Sequence, residues 1–242
     1  MSILFLGYSE NKIIDFLSKE NDVVVWDAKV NSEFVSQFDY VISYGYTHIL
    51  KEDIINSSKN GIINLHISYL PWNRGAHPNF WSFTDNTKKG VTIHYVDKGI
   101  DTGDIIFQKE IEFDIEEDTF EKTYNKLKKE IELLFIDNWK NIITKNYKLT
   151  KQDINGGSFH LVKDLDKYSI ETWNTKIKEV INMSDFDIID KIEKVRTKNN
   201  VNWMDILRLA MTHAPKDAKA LVKKINNADM EISELLGQLA ND

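Results

Sequence analysis

The stretch Gly61-Ile62-Ile63-Asn64-Leu65-His66-Ile67-Ser68-Tyr69-Leu70-Pro71 sets a short, largely apolar run between a glycine and a proline. A run of that length with turn formers on both sides reads as a strand over residues 62–66. Side chains alternate across a strand, so Asn64 and His66 share one face and Ile63 and Leu65 the other. Working outward, similar runs recur at residues 3–6, 23–26, 40–44 and 91–96, with helical stretches between them. Strands alternating with helices predict an α/β, Rossmann-like domain on a largely parallel sheet. Open sheets of this kind hold ligands at the carboxyl ends of their strands, where Asn64 and His66 fall.

Residues 104–113, with Ile105, Phe107, Ile111 and Phe113 among polar neighbours, predict one or two further strands. A long helix follows: Asp118 and Glu121 form a capping-box-like start, and Phe120, Tyr124, Leu127, Ile131, Leu134 and Phe135 lie at helical spacing. Asn155-Gly156-Gly157 is a strong turn signal, so residues 151–183 are expected to form a short β-hairpin region or linker. From about residue 184 the helical period returns, through Ile188, Ile192, Val195, Trp203, Leu207, Leu221, Ile225, Ile232, Leu235 and Leu239, with Pro215 and Asn226-Asn227 as punctuation. The expected organisation is a catalytic domain over 1–150, a hairpin or linker over 151–183 and a helical appendage over 184–242.

Composition narrows the function. At 42% apolar and 29% charged residues the chain is an ordinary globular protein, and a net charge of -7 argues against nucleic acid as a partner. No cysteine is present, which excludes thiolate nucleophiles and thiolate metal sites and fits a reducing, cytoplasmic setting. The first residues carry no basic leader, and their apolar run is too short to span a membrane, so no membrane association is expected.

An imidazole beside a neutral amide is a pairing suited to acyl transfer. Asn64 can donate to a developing oxyanion, and His66 can exchange a proton near neutral pH. A carboxylate would fix the ring, and Asp101, in the glycine-flanked run Gly99-Ile100-Asp101-Thr102-Gly103-Asp104, is the natural candidate. No metal is required. Taken alone, Asn-x-His is a weak signal, because a strand histidine is often a satisfied core residue.

The wider pattern is more specific. Asn64-x-His66-x-Ser68-x-Leu70-Pro71, then Arg74-Gly75, Gly90-Val91-Thr92-Ile93 and Asp101-Thr102-Gly103-Asp104, resembles the folate-dependent formyltransferase family, which includes the glycinamide ribonucleotide and methionyl-tRNA enzymes. The resemblance implies Asn64, His66 and Asp101 as the catalytic trio and 10-formyltetrahydrofolate as formyl donor, held near Asp97, Gly99 and Ile100. Within the family, the loop Leu70-Pro71-Trp72-Asn73-Arg74-Gly75-Ala76-His77-Pro78-Asn79-Phe80-Trp81-Ser82-Phe83 is most similar to bacterial sugar N-formyltransferases. That implies a nucleotide-linked amino sugar as acceptor, first a dTDP-linked amino-dideoxyhexose, in surface polysaccharide (lipopolysaccharide, O-antigen) synthesis, and a homodimer.

The remaining candidates are weighed against packing. Arg74 and His77 can reach a pyrophosphate, Trp72 can stack on a base and Asn79 can meet a sugar hydroxyl, so these four are the expected substrate residues. His48 and His94 lie in apolar segments without an evident carboxylate partner and are read as structural. Two alternatives stand beside the sugar enzyme: a formyltransferase acting on another amine, and a catalytically silent α/β binding module. A dinucleotide-binding dehydrogenase is excluded, because Gly7-Tyr8-Ser9-Glu10 follows the first strand where a G-x-G-x-x-G turn would be needed.

Overall fold

The computed structural model of the chain describes residues 1–168, 170, 172–181, 206 and 208–239. They belong to two compact units, Met1–Asn182 and Met183–Asp242. The first unit is built on six strands: β1 (Ser2–Gly7), β2 (Asp22–Trp26), β3 (Tyr40–Tyr44), β4 (Ile62–His66), β6 (Gly90–Tyr95) and β7 (Ile105–Glu110), in the order β2-β1-β3-β4-β6-β7. The first four are mutually parallel; β6 runs antiparallel to β4, and β7 antiparallel to β6. The expected α/β sheet is therefore mixed, with a parallel half and an antiparallel half.

β1 is apolar at every position from Ile3 to Leu6 because helices cover both of its faces. Ile3 and Phe5 pack with Ile13 and Leu17 of α1 (Lys12–Leu17) and with α5 (Phe120–Ile143). Leu4 and Leu6 pack with Val35 of α2 (Ser32–Val35), Phe38 and Ile54 of α3 (Glu52–Ser57). Along α5 the buried residues Leu127, Ile131, Phe135, Trp139 and Ile142 form a single stripe at helical spacing. Phe135 is fully buried at its centre, so Phe135→Ala is expected to destabilise the protein by about 3–5 kcal/mol, measured by denaturant unfolding.

The start of α5 differs from the expected capping box. Thr119 is the N-cap, its hydroxyl accepting from the Lys122 amide at 3.2 Å, while Asp118 takes the Asp114 amide and the Lys122 ammonium. Thr119 has the extended backbone a cap requires, which makes Asp118 the residue before the cap. Two more amides of the first turn, on Phe120 and Glu121, donate to the carbonyls of Thr175 and Trp173. Residues 172–177 are thereby tied to the mouth of the domain, using donors that a helix start leaves unpaired.

No hairpin forms around Asn155-Gly156-Gly157. Ile154–Gly156 is a 3-10 turn, and β8 (Phe159–His160) pairs in parallel with β5 (Arg74–Gly75) in the loop after β4. The glycine signal has another cause: a Cβ on Gly157 would run into the Pro71 carbonyl, so the residue permits a close backbone approach. α4 (Pro78–Thr84) and α6 (Ile177–Ile181) share a third cluster through Phe80, Trp81, Phe83, Phe120 and Ile177.

In the second unit α7 (Pro215–Leu239) runs unbroken through Asn226-Asn227. A mid-helix asparagine costs only tenths of a kcal/mol, too little to stop a helix of this length. The helical expectation at Ile188, Ile192, Val195, Trp203 and Leu207 lies outside the described residues. No helix among the described residues is long and apolar enough to cross a membrane.

Candidate active site

Asn64 and His66 stand at the carboxyl end of β4, and the loop between β6 and β7 brings Asp101 over them. Asp101 has a left-handed backbone, φ 53°, a conformation non-glycine residues adopt at a cost of order 1–3 kcal/mol and found often at functional sites. The loop is pinned from below. A Cβ on Gly103 would strike the Tyr95 carbonyl, and Gln152 donates to the carbonyls of Asp101 (3.0 Å) and Gly103 (2.7 Å). Asp97 closes the turn, accepting from the Gly99 amide and the Thr102 hydroxyl at 3.0 and 2.6 Å.

Three sequence-predicted residues therefore meet. Asp101 Oδ1 accepts from Asn64 Nδ2 at 3.2 Å and lies 3.8 Å from His66 Nδ1, and its Oδ2 accepts from the Gly75 amide at 2.9 Å. On the other side of the ring, His66 Nε2 is 3.3 Å from the Asn73 carbonyl. Burial alone would raise the Asp101 pKa, but the two neighbouring histidines and the Gly75 amide hold it well below the usual carboxylate range. Burial lowers the His66 pKa, with the Asp101 charge opposing it. The outcome is an ionised carboxylate beside a neutral imidazole. Both ring nitrogens face oxygen acceptors, so the imidazolium formed by taking up a proton is held on both sides.

His94 corrects the sequence reading. It has a carboxylate partner, with Nε2 3.6 Å from Asp101 Oδ1, and it contacts Asn64. Nδ1 donates to the Tyr95 carbonyl at 2.8 Å, which leaves Nε2 to accept from Asn64 Nδ2 at 3.2 Å. Asn64 and His94 are direct partners in the antiparallel β4–β6 register, and His66 faces Thr92 in the same way. The signal lay in alternation: Thr92 and His94 punctuate β6 as Asn64 and His66 punctuate β4.

The four substrate candidates are placed differently. His77 lines a cleft of about 440 Å³ together with Ile67, Pro78, Asn79, Phe80, Tyr124 and Trp173. Its ring stacks on Trp173, with centroids 5.7 Å apart, and burial lowers its pKa. Asn79 reaches the same cleft, but its amide is engaged by the Phe120 carbonyl (2.9 Å) and the Thr123 hydroxyl (3.0 Å). Trp72 stacks on Tyr69 and does not line the cleft. Arg74, on β5, reaches the Ile154 carbonyl at 3.4 Å and keeps a buried Nε–H without a partner. Tyr124 and Trp173 were not singled out from sequence, since Tyr124 reads as an ordinary helix-stripe residue and Trp173 as a lone aromatic.

The Asp101 loop is open to solvent over residues 97–100. Tyr46 and Leu50, from the loop after β3, pack in the same cluster as Val96 at the start of the Asp101 loop. In these two loops Ile49 is 83% and Ile100 48% exposed.

Residues 26–137 match the formyl transferase family. The formyltransferase PseJ from Anoxybacillus kamchatkensis, solved in complex with UDP-4,6-dideoxy-4-formamido-L-AltNAc and tetrahydrofolate, is 42% identical; the match covers 75% of this chain and 98% of PseJ, with a TM-score of 0.70. The sugar 3N-formyl transferase WlaRD, solved in the presence of dTDP and 5-N-formyl-THF, is 26% identical over 68% of this chain and 70% of its own, with a TM-score of 0.56. A methionyl-tRNA formyltransferase from Fusobacterium nucleatum is 42% identical over 93 residues, 38% of this chain and 30% of that enzyme. The sequence matches to such tRNA enzymes span between 22% and 46% of their length. Because nearly all of PseJ is matched at 42% identity, on the same fold, the chain belongs to the formyltransferase family.

Proposed function

We propose that this chain transfers a formyl group from 10-formyltetrahydrofolate to the amine of a nucleotide-linked amino sugar in the cytoplasm. The observation that carries the reading is the convergence of Asn64, His66 and Asp101 at the end of β4. The exposed Ile100 suits the face of a flat heteroaromatic ligand, and Asp97, Gly99 and Ile100 are the residues proposed to hold the folate. When bound, the folate supplies the formyl carbon. Asn64 turns an amide N–H to the carbonyl oxygen as it becomes negative. His66 takes the proton that the attacking amine must lose and delivers it to the donor nitrogen as the bond from that nitrogen to the formyl carbon breaks, and Asp101 stabilises the imidazolium in between.

The cleft lined by His77, Tyr124 and Trp173 opens one residue beyond His66 and suits a base or sugar ring. The likeness to PseJ shifts the first candidate acceptor from a thymidine-linked to a uridine-linked sugar, with the amine at carbon 4 as in the formamido sugar bound to PseJ. A second reading, formylation of an aminoacyl-tRNA, is favoured by the partial matches to methionyl-tRNA enzymes and opposed by the net charge of -7. Incubation with 10-formyltetrahydrofolate and UDP- or dTDP-linked amino sugars, followed by mass spectrometry, is expected to show one added carbonyl on the UDP-linked 4-amino sugar. Formylation of methionyl-tRNA alone would overturn the proposal.

A further inference from the structure

α7 carries a repeat that a helix lying on its own domain does not need. Ala218, Leu221, Ile225, Ala228, Ile232, Leu235 and Leu239 recur at alternating intervals of three and four residues through the whole of this 25-residue helix. That 3.5-residue period keeps one apolar seam facing a partner helix wound around it. Setting Ala218 as position a places Ala218, Ile225, Ile232 and Leu239 at a, and Leu221, Ala228 and Leu235 at d. Lys219, Lys223, Asn226, Asn227, Ser233 and Glu234 fall on the outer positions. On the seam Ala218 is buried within its own chain, while Leu221 is 56% and Ile225 37% exposed, an apolar surface left to water.

We propose that α7 pairs with α7 of a second copy of this chain as a parallel, two-stranded coiled coil. The side-chain shapes select that occupant. β-branched Ile225 and Ile232 at a, with Leu221 and Leu235 at d, favour two parallel strands, whereas the reverse arrangement favours higher assemblies. The flanking charges agree: in parallel register Lys224 at g faces Asp229 of the partner subunit at e, an attractive pair. Val222 and Leu236, also at e, widen the apolar band on one side of the seam.

The absence of cysteine makes the test clean. Leu221→Cys and Leu235→Cys are introduced singly into the full chain, with Lys223→Cys, on the outer face, as the control. Leu221 and Leu235 lie about 21 Å apart along the helix at ~1.5 Å per residue, so only a parallel, in-register pair brings each residue against its own copy. Under mild oxidation both seam variants are expected to form disulfide-linked dimers, the control to stay monomeric on a denaturing gel, and the unmodified chain to show twice its mass by light scattering. Adding Ile225→Asp to Leu221→Cys is expected to reduce crosslinking at least tenfold. Monomeric or threefold mass, no crosslink at either seam position, or equal crosslinking of the control would overturn the proposal.

Discussion

Turnover of a His66→Asn variant is expected to fall by ~10²- to 10⁴-fold, the range of general acid–base assistance. Asparagine keeps the approximate size of the ring and one amide, so binding of either substrate should change far less than kcat. His66 sits between the Asp101 carboxylate at 3.8 Å and the Asn73 carbonyl at 3.3 Å. The sign of its pH dependence follows from its surroundings. Activity needs the neutral ring, and burial lowers its pKa from the ordinary 6.5, so the acid limb of the kcat profile should lie below that value. Asp101 opposes the lowering. Asp101→Asn should therefore move the limb further toward acid while also reducing turnover. Steady-state kinetics across pH decides the matter: near-normal kcat in the His66 variant, or a limb that moves toward alkaline pH in the Asp101 variant, is incompatible with these roles.

Asn64→Ala should cost ~10²- to 10³-fold in kcat if the amide stabilises the oxyanion. At rest both amide hydrogens of Asn64 are engaged, one by Asp101 Oδ1 and one by His94 Nε2, each at 3.2 Å. A reacting carbonyl must compete for one of them, and the donor gained then acts in a largely buried site where such a bond is worth more than in water. Asn64→Asp separates donation from shape, since it keeps the outline but presents only oxygens beside an ionised Asp101. It should be at least as damaging as alanine. An aspartate variant that retained turnover while alanine lost it would assign Asn64 a packing role instead.

The sequence and the structure agree most closely where a rule acts locally. Short apolar, β-branched runs mark β1, β3, β4 and β6, and the period-two rule alone puts Asn64 and His66 on one face. The glycines around Asp101 announce a tight loop, and the structure uses Gly103 for that purpose. Non-local geometry was harder to read. His94 is a neighbour of Asn64 only because β6 turns antiparallel to β4, whereas strand–helix alternation points to parallel pairing. The Gly156-Gly157 pair looks like a hairpin turn, but its partner is the Pro71 carbonyl, more than eighty residues upstream. Asn79 reads as a free amide, yet Phe120 and Thr123 occupy both its ends.

The pairing of β8 with β5 has a consequence for where this chain can be cut. The matched family region ends at residue 137, and the strand–helix pattern in the sequence stops near residue 150. Yet Gln152 holds the carbonyls of the Asp101 loop, Ser158 Oγ accepts from the Asn73 amide at 2.8 Å and donates to the Asn73 side chain at 3.0 Å, and Trp173 walls the cleft. The candidate active site is therefore assembled by a chain that leaves the sheet and returns to buttress it. A protease nick or inserted loop at the exposed residues 153–156, which belong to none of the hydrophobic clusters, would loosen the geometry proposed to support turnover. Limited digestion would then abolish activity well before it lowered the melting temperature of the sheet, separating catalytic integrity from folded mass within one polypeptide.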